Sequence, residues 1–92
     1  MSAARTVPEL IRDVCDDLAE MLLAKNAAYG NSALDPVRVF STASTEEQIR
    51  VRIDDKLSRI ARGQAAGEDV IADLSGYLVL LEVHRRLTRG AP

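Results

Sequence analysis

Apolar residues recur at helical spacing in three segments of this 92-residue chain, which predicts an all-α fold with three main helices. The apolar stripes are Leu10, Ile11, Val14, Leu18, Met21 and Leu22; Ile49, Ile53, Leu57 and Ile60; and Val70, Ile71, Leu74, Tyr77, Leu78 and Leu81. No internal repeat or interdomain linker interrupts the pattern. We therefore expect residues 1–92 to form one domain.

Polar signals predict where the helices begin and end. Thr6-Val7-Pro8-Glu9 and Ser44-Thr45-Glu46-Glu47 both have the form of a capping box, in which the first side chain accepts a bond from the backbone of the fourth residue. The predicted helices run from Thr6 to the stop at Tyr29-Gly30-Asn31-Ser32, from about Ser44 to Gly63, and from about Glu68 to Thr88.

The predicted connection after the first helix covers roughly fifteen residues without a sustained period, and a connection of that length in a small domain is usually functional or mobile. Asp35-Pro36 could start a short turn of helix carrying Val37, Val39 and Phe40. Gln64-Ala65-Ala66-Gly67 is predicted to be a tight link before the third helix.

The third helix is apolar on its back as well as on its main stripe. The back consists of Val79, Leu80, Val83 and Leu87. A helix that is apolar all round must be covered all round, so we expect a second copy of the chain to pack here, most simply as a two-fold homodimer or as part of a higher homo-oligomer. The alternative is a lone three-helix bundle with an exposed apolar side.

Composition narrows the functional classes. The net charge is −2, which argues against broad nucleic-acid binding, because such proteins normally have a basic excess. No long uncharged apolar run is present for a membrane span, and the single Cys15 excludes an intramolecular disulfide. These features predict a cytoplasmic protein with no membrane partner, in which Cys15 is a small buried residue.

Charged residues are segregated by helix. The first helix has an acidic row of Asp13, Asp16, Asp17 and Glu20, the second has a cationic row of Arg52, Lys56 and Arg59, and the third has Asp69 and Asp73. Acids on two helices can hold a divalent cation, and a neighbouring row of Lys and Arg can hold phosphate, which together indicate a nucleotide site. The alternative is that each row is a solvated face or pairs with charges of its own helix.

Asp73 is the hardest of these acids to interpret as a surface residue. It lies on the same side of the third helix as Gly76, Leu80 and Leu87, and an ionised carboxylate that leaves water without a partner is costly. Asp73 therefore requires a cation. The candidates are a metal ion shared with Asp17 and Glu20, or a cationic side chain of the second helix in a structural salt bridge.

Three segments resemble a known family. They are Lys25-Asn26-Ala27-Ala28-Tyr29-Gly30-Asn31-Ser32, Asp55-Lys56-Leu57-Ser58-Arg59-Ile60, and Glu68-Asp69 followed by Asp73-Leu74-Ser75-Gly76-Tyr77. They look like the small phage and bacterial family called nucleotide modification associated domain, which is similar to the MazG-like, all-α nucleoside triphosphate pyrophosphohydrolases. The resemblance covers most of the chain from about Asp16 to Tyr77.

The resemblance implies magnesium-dependent hydrolysis of a nucleoside triphosphate to the monophosphate and pyrophosphate. The metal ligands would be Asp17, Glu20, Asp69 and Asp73. Lys56 and Arg59 would neutralise charge during catalysis, and the substrate-binding residues would be Lys25, Asn26, Tyr29, Ser32, Arg52 and Tyr77.

The acid spacing departs from the family pattern. MazG-like proteins carry a Glu-x-x-Glu pair and a later Glu-x-x-Asp pair, whereas this chain has Asp17-Leu18-Ala19-Glu20 and a second pair, Asp69 and Asp73, that is displaced by one residue. Two alternatives to an enzyme therefore stay open. One is a phage protein that binds and sequesters a nucleotide or cyclic nucleotide without catalysis, and the other is a structural helical oligomer that binds a protein partner.

Overall fold

The computed structural model describes residues 5–34, 39–64, 67 and 69–89 of the chain, and these residues form three α-helices and no strand. The helices are α1, Val7–Tyr29; α2, Thr45–Ala61; and α3, Val70–Arg89. The predicted all-α class and the number of helices are confirmed. The predicted turn at Asp35-Pro36, the Ala65-Ala66 part of the link and the predicted start at Glu68 lie outside the described residues.

The chain divides into two compact units. The first, Met1–Gly30, contains α1, and the second, Asn31–Pro92, contains α2 and α3.

The start and the end of α1 follow the predicted signals. The Thr6 hydroxyl accepts a hydrogen bond from the backbone N–H of Glu9 at 3.3 Å, and a Glu9 carboxylate oxygen accepts the Thr6 backbone N–H at 3.4 Å. This is the reciprocal capping box, and the bonds from Thr6 lower the pKa of Glu9. Gly30 ends the helix with φ 63°, a value that residues with a Cβ rarely adopt.

The apolar stripe of α1 is open to solvent in its first half. No residue of α1 is fully buried, and Val7, Leu10, Ile11, Val14 and Cys15 line a shallow apolar surface. The prediction that Cys15 is buried is wrong, because its thiol is exposed. The stripe beside it is itself open to solvent, and the neighbouring Val14 is exposed, so Cys15 has no apolar cover.

Local side-chain bonds also hold the start of α2. The Ser44 hydroxyl accepts the backbone N–H of Glu47 at 3.1 Å, as the capping signal predicts. Thr45 donates its hydroxyl to the Leu34 carbonyl at 3.4 Å, which joins the described part of the connection to the helix. At the other end α2 stops at Ala61, and Gly63 has φ 68°, in agreement with the predicted stop.

Helices α2 and α3 pack against each other in antiparallel orientation. As the residue numbers fall along α2, the numbers of the residues that they contact on α3 rise. Lys56 contacts Asp73, Arg52 contacts Tyr77, and Glu46 contacts Arg85. Ile49 from α2 and Val70 from α3 are the buried apolar side chains of this pair.

The face that α2 turns toward α3 agrees with the predicted stripe at Ile49, which is buried, and at Ile53, which is half-buried, but it departs from that stripe further along the helix. Leu57 and Ile60 were expected to point into the core, but about half of each remains exposed, whereas Lys56 is mostly covered. A lysine can bury its aliphatic stem and keep its ammonium at a polar partner, so apolar spacing alone does not locate the packed face. On α3 the predicted stripe residues Ile71 and Leu78 are likewise exposed.

The back of α3 is apolar and accessible, as the sequence predicts. Val79, Val83 and Leu87 are exposed, and Leu80 is half-buried.

Among the described residues, no helix is long and apolar enough to span a membrane.

Candidate functional site

Lys56 and Asp73 form the centre of the candidate site on the α2–α3 pair. The Lys56 ammonium lies 3.3 Å from a carboxylate oxygen of Asp73, and only 14% of the Lys56 side chain and 29% of the Asp73 side chain are exposed. Asp73 thus has the cation that its position on α3 requires, and this cation comes from α2. Of the two predicted candidates, the structure has the salt bridge.

Arg52 and Tyr77 lie one helical turn away from this pair on their respective helices. The Arg52 guanidinium carbon is 6.0 Å from the centre of the Tyr77 ring, at the outer range of a cation–π contact. Helical spacing of four residues places Arg52 next to Lys56 and Tyr77 next to Asp73. Four of the predicted site residues therefore lie together on two facing helices.

Arg59, the third member of the cationic row, forms an ion pair with Asp55 of its own helix. The distance between its Nε and a carboxylate oxygen of Asp55 is 3.2 Å, and the two residues are one turn apart. This is the pairing that the sequence left open as the alternative to phosphate binding. Both side chains remain substantially exposed, so the pair is accessible to solvent.

Asp69 has a structural role that its spacing in the sequence does not indicate. Its carboxylate accepts the backbone N–H of Ala72 at 3.1 Å, and its carbonyl accepts the backbone N–H of Asp73. Asp69 is therefore the N-cap of α3. The predicted start at Glu68 placed Asp69 inside the helix, where a capping role would not arise.

The predicted site residues of the first unit lie along α1. Asp17, Glu20, Lys25, Asn26 and Tyr29 are all exposed side chains of this helix. At the other end of the acidic row, Asp13 and Glu9 both pair with Arg5.

Ser32, the remaining predicted ligand residue, follows α1 in the turn of residues 30–34. It is exposed, and the turn is closed by a bond from the Leu34 N–H to the Asn31 carbonyl at 2.9 Å.

The described part of the chain does not contain a ready-made magnesium site. No group of three or more His, Cys, Asp or Glu side chains within it is placed to hold a metal ion. On α3 the Asp69 carboxylate bonds the helix N-terminus and the Asp73 carboxylate contacts an ammonium. The donor set on α2 and α3 therefore does not fit a metal centre by itself.

A second charged cluster lies at the opposite end of the α2–α3 pair and was not singled out from the sequence. Glu46 lies 3.1 Å from Arg85 of α3 and 3.2 Å from Arg50 of α2. The hydrogen bond from Arg85 is the main reason that the pKa of Glu46 lies below its ordinary value. Once Lys56 pairs with Asp73, the antiparallel packing of the two helices brings Glu46 level with Arg85. This contact could therefore have been predicted from that first pair.

Comparison with known proteins gives no relative. No family model matches the chain, and neither a curated protein nor a solved structure matches it. The resemblance to the MazG-like proteins accordingly rests on the three sequence segments quoted above.

Proposed function

We propose that this chain handles nucleotides and that it hydrolyses a nucleoside triphosphate to the monophosphate and pyrophosphate, as MazG-like proteins do. The observation that carries the proposal is the contact between Lys56 and Asp73. These residues belong to two different segments of the family resemblance, and they meet on facing helices with Arg52 and Tyr77 one turn away.

The proposed roles use the chemistry of each side chain. Arg52 offers a planar fork to phosphate oxygens, and Lys56 and Arg59 supply positive charge to the pyrophosphate that leaves. Tyr77 borders the base or the sugar with its ring. Because Lys56 contacts Asp73, a phosphate that binds Lys56 must compete with that carboxylate.

Magnesium dependence enters the proposal through the resemblance. The proposed ligands are Asp17, Glu20, Asp69 and Asp73, but the two acids of α3 already bind a helix N-terminus and an ammonium. No step of the reaction is assigned to the ion for this reason. The same observation favours a second candidate, in which the chain binds and sequesters a nucleotide without hydrolysing it.

The third candidate is a structural helical oligomer. It is favoured by the contacts between charged or aromatic side chains along α2 and α3, since each of them also serves to join the two helices. Homo-oligomerisation, a functional connection after α1 and a cytoplasmic location are parts of the proposal in all three forms.

Pyrophosphate release separates the first candidate from the others. The protein is incubated with a panel of nucleoside triphosphates, with magnesium or with a chelator, and pyrophosphate is measured. We expect release only with magnesium, and we expect Arg52→Gln to abolish it. The matched control is Arg50→Gln, which changes an arginine of the same helix that pairs with Glu46 and lies outside the cationic row.

Ligand-dependent melting separates binding from a purely structural role. A ligand that binds only the folded state raises the melting temperature with its concentration. A shift without pyrophosphate release would support sequestration, and Asp73→Asn should abolish a magnesium-dependent shift while the chain stays folded. No shift with any nucleotide, with or without magnesium, would contradict both nucleotide proposals.

A further inference from the structure

Helix α3 has three distinct faces, and two of them are apolar and exposed. One face packs on α2 through Asp73 and Tyr77. Ile71 and Leu78 form a second face, and Val79, Val83 and Leu87, the exposed residues of the back of α3, form a third. The rotation of a helix separates residues 78 and 79 by about 100°, so the two exposed faces are distinct.

The second unit exposes more apolar surface than these two faces of α3. Leu57 and Ile60 of α2 add further exposed apolar surface to the second unit. Helices α2 and α3 therefore leave apolar surface exposed to solvent, and such a patch favours association.

The back of α3 is complementary to itself when two copies run antiparallel. If a two-fold axis passes at Val83, the two Val83 side chains meet. Val79 and Leu87 lie four residues to either side, so Val79 is level with Leu87 of the partner subunit. No charged residue interrupts this row, and its valines allow the helices to approach closely.

The charges beside the row are complementary in the same arrangement. Glu82 and Arg86 lie along one margin of the back and contact each other at 3.1 Å. In an antiparallel pair centred on Val83, Glu82 lies about 3 Å along the axis from Arg86 of the partner subunit, since the helix rises about 1.5 Å per residue. The two-fold axis repeats this contact along the same margin, with Arg86 beside Glu82 of the partner subunit, and the antiparallel helix dipoles add to the attraction.

We infer that a second copy of this chain covers the back of α3, with the two α3 helices antiparallel about Val83 and with Glu82 of each copy beside Arg86 of the other. The interface uses the exposed row of Val79, Val83 and Leu87, which lies to one side of the α2 contact on α3. It leaves Lys56 and Asp73 outside the contact, and a chain that binds no nucleotide would still form it.

A buried charge tests the apolar row. Val83→Glu would place two carboxylates against each other at the proposed axis, and we expect the dissociation constant of the dimer to rise by at least about 100-fold. The control is Val51→Glu, the same change at an exposed helical valine of α2. Sedimentation velocity gives the mass, and circular dichroism confirms that both variants keep their helices.

The outcomes are distinct. Dimerisation of the unmodified chain and of Val51→Glu, together with a monomeric but helical Val83→Glu, supports the interface. A monomer at every concentration up to the solubility limit, or a Val83→Glu chain that dimerises as tightly as the unmodified one, overturns it.

A charge exchange tests the register without altering the apolar row. Glu82→Arg leaves only bases at this margin, and Arg86→Glu leaves acids at both positions, so each variant should dimerise several-fold more weakly than the unmodified chain. Mixed together, they should form heterodimers in excess of the statistical share, measured by native mass spectrometry. A statistical mixture would overturn the antiparallel register even if the chain is dimeric.

Discussion

The two ends of the α2–α3 pair carry the same kind of contact in different surroundings. Near the link between the helices, Lys56 and Asp73 lie 3.3 Å apart and are largely covered. At the open end, Glu46 and Arg85 lie 3.1 Å apart, but about a third of Glu46 and nearly half of Arg85 are exposed. Similar distances therefore do not mean similar energies, because water screens the exposed contact more strongly than the covered one.

The difference in exposure between the two ion pairs also bears on which of them could bind a ligand. A covered ion pair has lost hydration that only its partner replaces, so removing one partner leaves a charge that a ligand of the right sign can satisfy. An exposed pair leaves no such need, since water replaces the missing partner. The Lys56–Asp73 end is therefore the better candidate for a site, and the Glu46–Arg85 end is the natural control.

The largest expected effect comes from removing the covered cation. Lys56→Met keeps most of the apolar stem but leaves Asp73 without its ammonium, and we expect the free energy of unfolding to fall by about 1–3 kcal/mol. Urea denaturation at neutral pH measures the loss. Adding Asp73→Leu should recover most of it, because both polar partners are then gone. A double variant as unstable as Lys56→Met would contradict the ion-pair explanation.

The next effect concerns the helix cap at the same end. Asp69→Ala removes the acceptor for the Ala72 N–H and should cost about 1 kcal/mol, whereas Asp69→Asn, which still accepts this bond, should cost much less. Thermal melts of the two variants measure the difference. Asp69→Asn also separates the two proposed roles: if it melts like the unmodified chain yet loses magnesium-dependent nucleotide binding, Asp69 acts as a ligand, and if binding persists, it acts as a cap alone.

A smaller effect is expected at the open end. Arg85→Met removes the exposed cation and leaves Glu46 with Arg50 and water, so the loss of stability should be well below that of Lys56→Met. Repeating both measurements in high salt sharpens the comparison, because salt should reduce the Arg85 effect more than the Lys56 effect. Equal losses at both ends would show that burial does not distinguish the contacts.

The smallest effect is the acid dependence of the open end. The pKa of Glu46 lies below its ordinary value of 4.5, mainly because of the Arg85 hydrogen bond, so this contact stabilises the fold above pH 4.5 and is lost as the pH falls through the lowered pKa. Titration of the Glu46 carboxyl by NMR should give a higher pKa in Arg85→Met. An unchanged pKa in that variant would mean that Arg85 is not the cause of the shift.

The helix ends were predictable because their signals are local. Thr6 with Glu9 and Ser44 with Glu47 each act over three residues, and Gly63 has the positive φ that a helix stop favours. The face of α2 that packs against α3 was not predictable from local signals. Its apolar residues centre on Ile53 and Leu57, but a covered Lys56 moves the packed face, and that depends on a carboxylate of another helix.

The candidate site was predictable in part. The position of Asp73 on the apolar side of α3 required a cation, but only the register of α2 against α3 decides that Lys56 supplies it. Asp69 was assigned as a metal ligand from the family resemblance, on a helix that was expected to start at about Glu68, whereas α3 starts two residues later at Val70 and Asp69 caps it. A shift of one or two residues at a helix end is ordinary, and here it changes the chemistry assigned to a side chain.

The accessible thiol of Cys15 offers a practical route into the assembly. Since the chain has one cysteine, a maleimide dye or spin label would attach at a single place on α1. In a two-fold assembly the pair of labels would report one distance across the axis by dipolar spectroscopy. The same thiol can oxidise between molecules, so preparations without reductant would contain covalent dimers that imitate association.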